Sequence, residues 1–235
     1  MRHIVGFSGG KDSTAMLLRM IELKMPIDEI RYFDCGSWEF PQTQKHISKV
    51  EKYINRPIKR LYSKHTFDYF FSEKKTKGGY KGYGFPVVGW RWCTGRKIAA
   101  LKKGLKKDDI EYIGYTTDEL QRTFKSKRTN HKAREEYPLI KWGWSEEDCL
   151  KYCYSKGFTW DGLYNYFPRI SCWCCPLQRI GTLRILRKHF SELWQRLLKM
   201  QKSTWSTFRM NGKTVFDLDK RFEEEDRQGR FGSFE

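Results

Sequence analysis

The chain has 235 residues and a formal net charge of +18 at pH 7. Hydrophobic residues make up 39% and aromatic residues 16%, more than a disordered chain carries, so a core for one large domain, alone or with a smaller unit, is available. No apolar run reaches the roughly 18 residues of a membrane helix, and the first residues lead straight into a predicted strand. We therefore expect a soluble, cytoplasmic protein with no signal peptide and no membrane partner.

Strand and helix patterns alternate along the first half of the chain. The predicted strands are HIVGFS (3–8), IRYFDC (30–35), IKRLYS (58–63) and EYIGYT (111–116). The predicted helices are TAMLLRMIELKM (14–25), PQTQKHISKVEKYIN (41–55) and IAALKKGLKK (98–107). This alternation predicts an α/β fold with a mostly parallel sheet in residues 1–140. Residues 141–235 are expected to form a mainly helical region that carries a cysteine motif.

The positive charge is concentrated between residues 42 and 136. This stretch holds 24 Lys and Arg against 10 Asp and Glu, which accounts for +14 of the net +18. Two Lys-rich segments, 72–86 and 122–136, are predicted to be loops. A well-solvated basic surface would explain the charge alone, but its concentration favours an anionic partner, and nucleic acid above a nucleotide alone.

The sharpest motif is FSGGKDST (7–14), which joins the first predicted strand to the first predicted helix. Paired glycines allow a tight turn that exposes backbone N–H groups, and the helix directs its positive end at the same place. Lys11 adds a charge, and Ser8 and Ser13 add hydroxyl groups. The motif predicts a phosphate or pyrophosphate pocket, although it has neither the GxxxxGK[ST] nor the GxGxxG spacing.

Seven cysteines are present, and their odd number without signs of secretion argues against structural disulfides. Cys149 and Cys153 lie four residues apart in a helical pattern and are expected to be buried core residues. Cys172, Cys174 and Cys175 form a CxCC run followed by proline, which favours a metal or iron–sulfur centre.

Ser-Gly-Gly-Lys-Asp-Ser resembles the pyrophosphate loop of the N-type ATP pyrophosphatases, the PP-loop branch of the adenine nucleotide alpha hydrolase-like proteins. Within them the chain resembles the phosphoadenosine phosphosulfate (PAPS) reductase-like family, nearest to the sulfur-transfer ATPases of DNA phosphorothioation. The resemblance covers about residues 3–176. Besides the loop, it is carried by FDCGSWEFPQT (33–43), WRWCTGRKIAAL (90–101), IGYTTDELQR (113–122) and LYNYFPRISCWCCP (163–176). Cys35 stands where that family usually has threonine.

The resemblance implies a Rossmann-like open sheet of five parallel strands with helices on both faces, and adenine nucleotide across the carboxyl ends of the strands. It implies a set of nucleotide-binding residues: Ser8, Gly9, Gly10, Lys11, Asp12, Ser13, Asp34, Gly36, Gly114, Asp118, Glu119 and Arg122. It further implies that Lys11, Asp12, Asp34, Arg91 and Lys97 act in catalysis. Asp34 would lie near the ribose or a magnesium ion, and Arg91 and Lys97 near the phosphates or the second substrate.

If the resemblance holds, Cys93 faces the same site as the CxCC run. Cys93, Cys172, Cys174 and Cys175 then form a candidate set for a [4Fe–4S] cluster, with Zn²⁺ as the second choice. Adjacent Cys174 and Cys175 diverge, so three ligands and an open iron that holds sulfide is one arrangement. A structural zinc, or an inert thiol group packed near Trp173, is the alternative.

Three functions are compatible with these residues. The first is an ATP-dependent sulfurtransferase that forms AMP and pyrophosphate, uses Mg²⁺ and acts on DNA or tRNA, with a possible sulfur-donor protein. The second is a PAPS or APS (sulfonucleotide) reductase, which usually needs a cysteine on a carboxyl-terminal tail, whereas no cysteine follows Cys175 here. The third is a catalytically silent module that binds nucleotide or nucleic acid.

Overall fold

The computed structural model describes residues 1–126 and 133–229. Within these ranges the chain forms five strands and eleven helices. The strands are β1 (His3–Phe7), β2 (Glu29–Phe33), β3 (Lys59–Leu61), β4 (Ile110–Ile113) and β5 (Arg134–Glu136). The helices are α1 (Lys11–Glu22), α2 (Pro41–Ile54), α3 (Phe67–Ser72), α4 (Trp92–Leu101), α5 (Leu120–Ser126), α6 (Pro138–Lys141), α7 (Glu146–Ser155), α8 (Leu163–Tyr166), α9 (Ile180–His189), α10 (Ser191–Lys202) and α11 (Val215–Arg227).

The five strands form one parallel sheet in the order β3-β2-β1-β4-β5. The chain builds outward from β1 to β2 and β3, then returns to the other side of β1 with β4 and β5. The strand order therefore reverses between β1 and β4, which is where open α/β sheets bind ligands. This architecture confirms the predicted α/β, Rossmann-like class.

The central strand and the first helix are buried because their sequences are apolar along most of their length. Ile4 and Val5 of β1 are fully buried, as expected for a strand inside a parallel sheet. In α1, Ala15, Met16 and Leu17 are also fully buried. The phosphate loop lies between these two elements, so its ends are fixed by the core.

Compact groups of contacts divide the chain into two units, each taken from several segments. We call the first the sheet unit; it comprises Met1–Asp34, Pro41–Ser63 and Arg96–Ile170. The second, the cysteine unit, comprises Cys35–Phe40, Lys64–Gly95 and Ser171–Glu235. The predicted domains, 1–140 and 141–235, stay a prediction.

Trp38 lies at the centre of the cysteine unit and is 1% exposed. Its ring packs edge-on against the rings of Phe67, Phe71 and Trp92, with centroids 5.5–5.7 Å apart. Such edge-to-face contacts add specific attraction to the burial of aromatic surface. The segment that leads to Cys93 is thereby anchored in an aromatic core.

Three predicted segments differ from the structure. The segment 122–136, predicted to be a loop, begins inside α5 and ends in β5, a three-residue edge strand of polar residues without apolar alternation. Residues 127–132 of this segment lie outside the described ranges. The segment 72–86 contains a short antiparallel pairing of Lys75 with Lys81. The helix predicted over 98–107 is α4, which begins at Trp92 and ends at Leu101, ahead of a turn with Gly104 at φ +74°.

From residue 144 to residue 229 the chain forms helices and turns without a strand, as predicted. No helix in the described ranges has the length and apolarity needed to span a membrane.

Candidate functional site

The phosphate loop follows β1 in the sheet unit and is closed by its own hydroxyl groups. The Oγ atoms of Ser8 and Ser13 lie 2.9 Å apart, and the Ser8 N–H donates to Ser13 Oγ at 3.1 Å. Gly9 has φ +75°, a conformation that other residues adopt only with strain. Trp160 Nε1–H donates to the Gly9 carbonyl at 2.7 Å. The turn is thus fixed in shape before any ligand binds.

Gly114 brings the end of β4 against the start of α1. A Cβ atom at this position would lie 3.1 Å from both Cα and N of Ser13, closer than most side chains tolerate. Glycine therefore permits the close approach of the two backbones, and a side chain here would push Ser13 away by a few tenths of an ångström. Because β4 pairs with β1 in the sheet, Gly114 at the end of β4 lies beside the phosphate loop that follows β1.

Lys11 is buried beneath the loop and already has partners. Its side chain is 5% exposed, and Nζ forms an ion pair with Glu146 at the start of α7. Nζ also donates to the carbonyl of Pro168 at 3.5 Å, and the Lys11 backbone N–H donates to Tyr164 Oη at 2.7 Å. A phosphate that accepts hydrogen bonds from the Lys11 side chain or backbone N–H must share these donors with their present acceptors or displace those acceptors.

Asp12 is the loop residue with the most perturbed ionisation. Burial raises the pKa of its carboxyl to about 6, and the charges of Glu146 and Glu119 add to the rise, while Lys11 opposes it. Asp12 Oδ1 is buried and lies 3.6 Å from Lys11 Nζ, and no group in residues 1–126 and 133–229 donates a hydrogen bond to it. A buried oxygen without a donor is a costly arrangement, so this atom is a natural partner for a group that arrives with the substrate.

Residues after β4 form a charged cluster rather than a row of free carboxylates. Asp118 accepts a hydrogen bond from the first backbone N–H of α7, that of Glu146, at 2.7 Å. Glu119 pairs with Arg122 and, at 3.2 Å, with Arg169. Because Glu119 and Arg169 both shift the pKa of Asp12, the cluster lies within electrostatic range of the phosphate loop.

Asp34 directly follows β2 in the sheet unit. Its N–H donates to the Leu61 carbonyl at 2.9 Å, and its Oδ1 accepts from Gln44 Nε2 at 3.2 Å. A carboxylate at this edge of the sheet has the oxygen chemistry that Mg²⁺ prefers. Lys97 lies on α4 and is partly exposed.

The cysteine unit holds all four cysteines of the candidate set, together with Gly36 and Arg91. Cys174 is fully buried, whereas Cys93, Cys172 and Cys175 are partly exposed. The three partly exposed thiols lie within electrostatic range of one another. Burial raises the pKa of Cys175 to about 11, with Cys172 and Cys93 adding to the rise. Burial and Cys172 likewise raise the pKa of Cys93.

Polar side chains hold the backbone of the cysteine run. Gln178 Nε2 donates to the carbonyl of Cys172 at 2.7 Å. The Arg209 guanidinium donates to the carbonyl of Pro176, and to that of Gln178 at 2.9 Å. Trp173 Nε1–H donates to the Ser37 carbonyl at 3.0 Å. The run is therefore a fixed loop whose partly exposed thiols need no rearrangement of the backbone to be reached.

The thiols do not form a ready-made ion site. In residues 1–126 and 133–229, no group of three or more His, Cys, Asp or Glu side chains is arranged to hold a metal ion. A cluster is wider than one ion, so its ligands stand further apart than those of zinc. Cys93 lies on α4 and Cys172 and Cys175 in the cysteine run; none of the three is in a disulfide, and thiolates are ligands that both an iron–sulfur cluster and zinc accept.

Cys149 and Cys153 are fully buried on α7, which confirms the predicted core role. Four residues at the phosphate loop were not among the predicted site residues: Trp160, Tyr164 and Glu146, which contact the loop, and Arg169, which lies within electrostatic range of it. The sequence signal for Glu146 is only its position at a helix start, in the capping sequence that begins at Ser145. Arg169 stands in the quoted segment 163–176, so the resemblance offered a signal for it.

The fold and the loop define a class: an α/β protein with a phosphate loop at the switch point of a parallel sheet, of the adenine nucleotide-binding PP-loop type. The model of the phosphoadenosine phosphosulfate reductase domain matches residues 2–178. The chain belongs to this family.

Two individual similarities accompany the family match. The chain is 28% identical over 202 residues to the uncharacterized protein MJ0066 of Methanocaldococcus jannaschii, covering 82% of this chain and 40% of that protein. The chain thus spans about two fifths of the length of this curated relative. The U34-tRNA thiolase NcsA from Methanococcus maripaludis, solved with its [4Fe-4S] cluster, superposes with a TM-score of 0.46 and 15% identity, covering 95% of this chain and 71% of that one.

Proposed function

We propose that the protein is an ATP-dependent sulfurtransferase that releases AMP and pyrophosphate. A substrate oxygen attacks the α-phosphate of ATP, the bond to the β-phosphate breaks, and pyrophosphate leaves. Hydrosulfide then attacks the carbon that bears the adenylated oxygen; a C–S bond forms, the C–O bond breaks, and AMP leaves with that oxygen. The observation that supports this best is the phosphate loop of a PAPS reductase family member that contains both Lys11 and Asp12, with Lys11 buried and Asp12 half-buried.

In this proposal the loop of Ser8, Gly9, Gly10 and Ser13 binds the pyrophosphate end of ATP. Lys11 neutralises the charge that develops on the leaving group, since a fixed cation in a site that excludes water stabilises such charge strongly. Asp34 would supply an oxygen to Mg²⁺, which polarises the phosphate when bound.

The remaining predicted residues have more distant roles. Gly114 allows the close approach that shapes the loop, and Asp118, Glu119 and Arg122 form the charged cluster after β4. We further propose that Lys97 and Arg91 contact the phosphates or the second substrate, and that Gly36 permits the turn after Asp34. Gly36 has φ +61°.

We propose that Cys93, Cys172 and Cys175 hold a [4Fe–4S] cluster, while Cys174 belongs to the core. Three ligands leave one iron position without a protein ligand, and the cluster would supply a place there for the sulfur to be transferred. The chain's own contribution is to fix Cys172 and Cys175 on a loop held by Gln178 and Arg209, and Cys93 at the start of α4.

The proposed acceptor is nucleic acid, DNA or tRNA, and the proposed sulfur source is a donor protein. The support is electrostatic: +14 of the net charge lies in residues 42–136. Lysines at this density attract polyanions and speed their association.

The test is the product of ATP turnover in protein purified without oxygen, with α-labelled ATP, Mg²⁺ and a mixture of DNA and tRNA. We expect AMP and pyrophosphate in equal amounts. Lys11→Met should lower the rate by about 100-fold or more, as for other groups that stabilise a developing charge. Lys220→Met, an exposed lysine on α11 outside residues 42–136, is the matched control and should not change it. ADP and phosphate as products would refute the proposal.

A second candidate is a sulfonucleotide reductase, favoured by the family that the domain model describes. It predicts sulfite release from PAPS or its unphosphorylated analogue with a thiol reductant. Sulfite release without AMP formation from ATP would select this candidate. Iron, zinc and sulfide analysis of the same preparation separates a cluster from zinc.

A further inference from the structure

We propose that the cysteine unit carries a stacking platform for single-stranded nucleic acid, formed by Tyr80, Trp205 and the lysines of the segment 74–81. The platform specifies that the acceptor of the proposed function is single-stranded and where on the chain it binds, so this inference rests on the proposed function. Every residue of the platform lies in the cysteine unit.

The platform is built on a short hairpin. Lys75 and Lys81 pair in antiparallel orientation, and the Thr76 N–H donates to the carbonyl of Tyr80 at 2.9 Å. The Gly82 N–H donates to the carbonyl of Lys74 at 3.0 Å and closes the pairing. Tyr80 therefore stands at a defined position on an ordered turn.

The hairpin is seated against α3 by a glycine that cannot be replaced. Gly82 has φ +78°, and a Cβ atom there would lie 2.1 Å from the carbonyl oxygen of Phe71. The next residues continue this attachment, since the Tyr83 N–H donates to the carbonyl of Phe70 at 2.8 Å. A rigid base of this kind keeps the hairpin in one orientation.

The two aromatic rings of the platform are stacked and still exposed. The centroids of Tyr80 and Trp205 lie 4.5 Å apart with an angle of 26° between the rings. Tyr80 is 54% exposed and Trp205 52% exposed, and Trp205 Nε1–H donates to the Gly82 carbonyl at 3.0 Å. Each ring covers one face of the other, and about half of each residue stays exposed to solvent.

The charges around the rings are positive. Lys74, Lys75, Lys77 and Lys81 lie within eight consecutive residues, and Glu73 is the nearest acidic residue in sequence. Among the described residues, only Lys81 of these four lysines forms an ion pair, with Glu73 at 2.7 Å and both side chains at least half exposed. Pairs this exposed are weak and exchange readily with another anion.

Fixed aromatic faces beside lysines are the surface that single strands prefer. Bases stack on the rings without regard to sequence, and the phosphates contact the cations. Bases in a duplex are already stacked and cannot use the rings. A protein partner would be expected to cover apolar side chains with mixed charge, whereas four of the five charged residues in 73–81 are lysines.

The platform is continuous with the segment that carries Cys93. Trp92 Nε1–H donates to the carbonyl of Gly84 at 3.1 Å, and Tyr83 packs against Trp90 with centroids 5.1 Å apart. Trp90 is 47% exposed, so a second aromatic side chain follows the hairpin along the chain. A strand bound to the platform would lie on the same unit as the cysteines.

The test measures binding of fluorescently labelled single-stranded RNA and DNA to the full chain by anisotropy, without nucleotide. The strands are unstructured and longer than the roughly 4–16 nucleotides that such sites cover. We expect Tyr80→Ala to weaken binding about tenfold or more, because a base loses its stacking surface. Tyr80→Phe keeps the ring and should bind within about twofold of the unchanged chain.

Matched controls separate stacking and local charge from general effects. Tyr154→Ala removes a tyrosine of α7 that is 39% exposed and should leave binding unchanged. Replacing Lys75 and Lys77 by alanine should flatten the dependence of log affinity on log salt by about 1.4, at about 0.7 per phosphate contact. Replacing Lys106 and Lys107, two exposed lysines of the sheet unit, should flatten it less.

Equal binding by the Tyr80→Ala and Tyr154→Ala chains would overturn the platform, as would a duplex that binds as tightly as a single strand. An equal change of slope for the two lysine pairs would also overturn it. If one of the two single strands, RNA or DNA, binds more tightly than the other, the result supports the platform and shows whether the bound strand contains ribose or deoxyribose. A chain that needs Tyr80 for binding but never forms AMP would refute the proposed function alone.

Discussion

The phosphate loop and the cysteine run are both held in place by hydrogen bonds, but their reactive groups are in opposite situations. In the loop, Lys11 is buried and already neutralised by Glu146. In the cysteine run, the partly exposed thiols lie among one another, and the pKa of Cys175 is raised to about 11 by burial and by its neighbours. At the phosphate loop, a carboxylate of the chain balances the charge of Lys11. At the cysteine run, each thiol makes the ionisation of its neighbours less favourable.

This difference indicates how each site would take up a ligand. A phosphate at the loop must compete with an internal carboxylate, so binding there is an exchange of partners. Thiols that resist ionisation together need a cation or cluster to become thiolates, so binding there adds a charge that the chain lacks. Replacing single side chains at the two sites tests this difference.

The largest effect is expected from a pair of neighbouring cysteines. Cys175→Ala should lose the bound iron and sulfide and all sulfur transfer, because it removes one of three proposed ligands. Cys174→Ala should keep them and cost about 1–2 kcal/mol of stability, because Cys174 is fully buried. Metal and sulfide analysis after anaerobic purification measures both. Iron retained in Cys175→Ala and lost in Cys174→Ala would reverse the assignment.

Next in size is the pH dependence of stability set by Asp12. Burial raises its pKa from 3.8 to about 6, so between these values the folded chain holds a proton that the unfolded chain has released. Stability attributable to Asp12 therefore falls as the pH rises from about 4 to about 6, by at most about 3 kcal/mol. Asp12→Asn should remove this fall.

Urea unfolding of both chains across that pH range measures the difference. The Asp12→Asn chain should gain stability relative to the unchanged chain as the pH rises to about 6, and the gain should then level off. A difference that stays constant with pH would show that Asp12 titrates at its ordinary value.

A smaller effect is expected at Glu146. If this carboxylate competes with phosphate for Lys11, Glu146→Gln should tighten pyrophosphate binding about tenfold, equivalent to about 1.4 kcal/mol. Calorimetric titration with pyrophosphate measures the change. Glu147→Gln is the matched control, since Glu147 is 74% exposed and pairs with Lys151. Weaker binding in Glu146→Gln would show that Glu146 positions Lys11 for the ligand instead.

The smallest effect is expected at Tyr164. Tyr164→Phe leaves the Lys11 backbone N–H without its acceptor and should cost about 1 kcal/mol of stability in the nucleotide-free chain. A bound phosphate can accept from the same N–H, so saturating pyrophosphate should shrink the loss. Thermal unfolding with and without pyrophosphate tests this. Tyr166→Phe, 40% exposed, should show no such dependence on the ligand.

The elements that the sequence predicts well are those with local signals. The apolar run of β1, the paired glycines and the helical spacing of α1 are all contained in about twenty residues, and the structure agrees with them. β5 has three polar residues at the edge of the sheet, so neither alternation nor hydrophobicity marks it.

The parts of the site that were missed depend on contacts between distant residues. Glu146 and Tyr164 lie 135 and 153 residues from Lys11 in sequence, and only packing of α7 and α8 brings them to the loop. Spacing also cannot tell Cys174 from Cys172 and Cys175, because burial, not order in the chain, separates them.

ATP-dependent sulfur transfer is tested most directly with labelled sulfide. Protein loaded with ³⁵S-sulfide is mixed with DNA and tRNA, with or without ATP and Mg²⁺, and the label on the nucleic acid is measured. We predict label on nucleic acid only with ATP, and none with Lys11→Met or Cys175→Ala. Equal labelling without ATP, or label released solely as free sulfide or sulfite, would contradict ATP-dependent transfer.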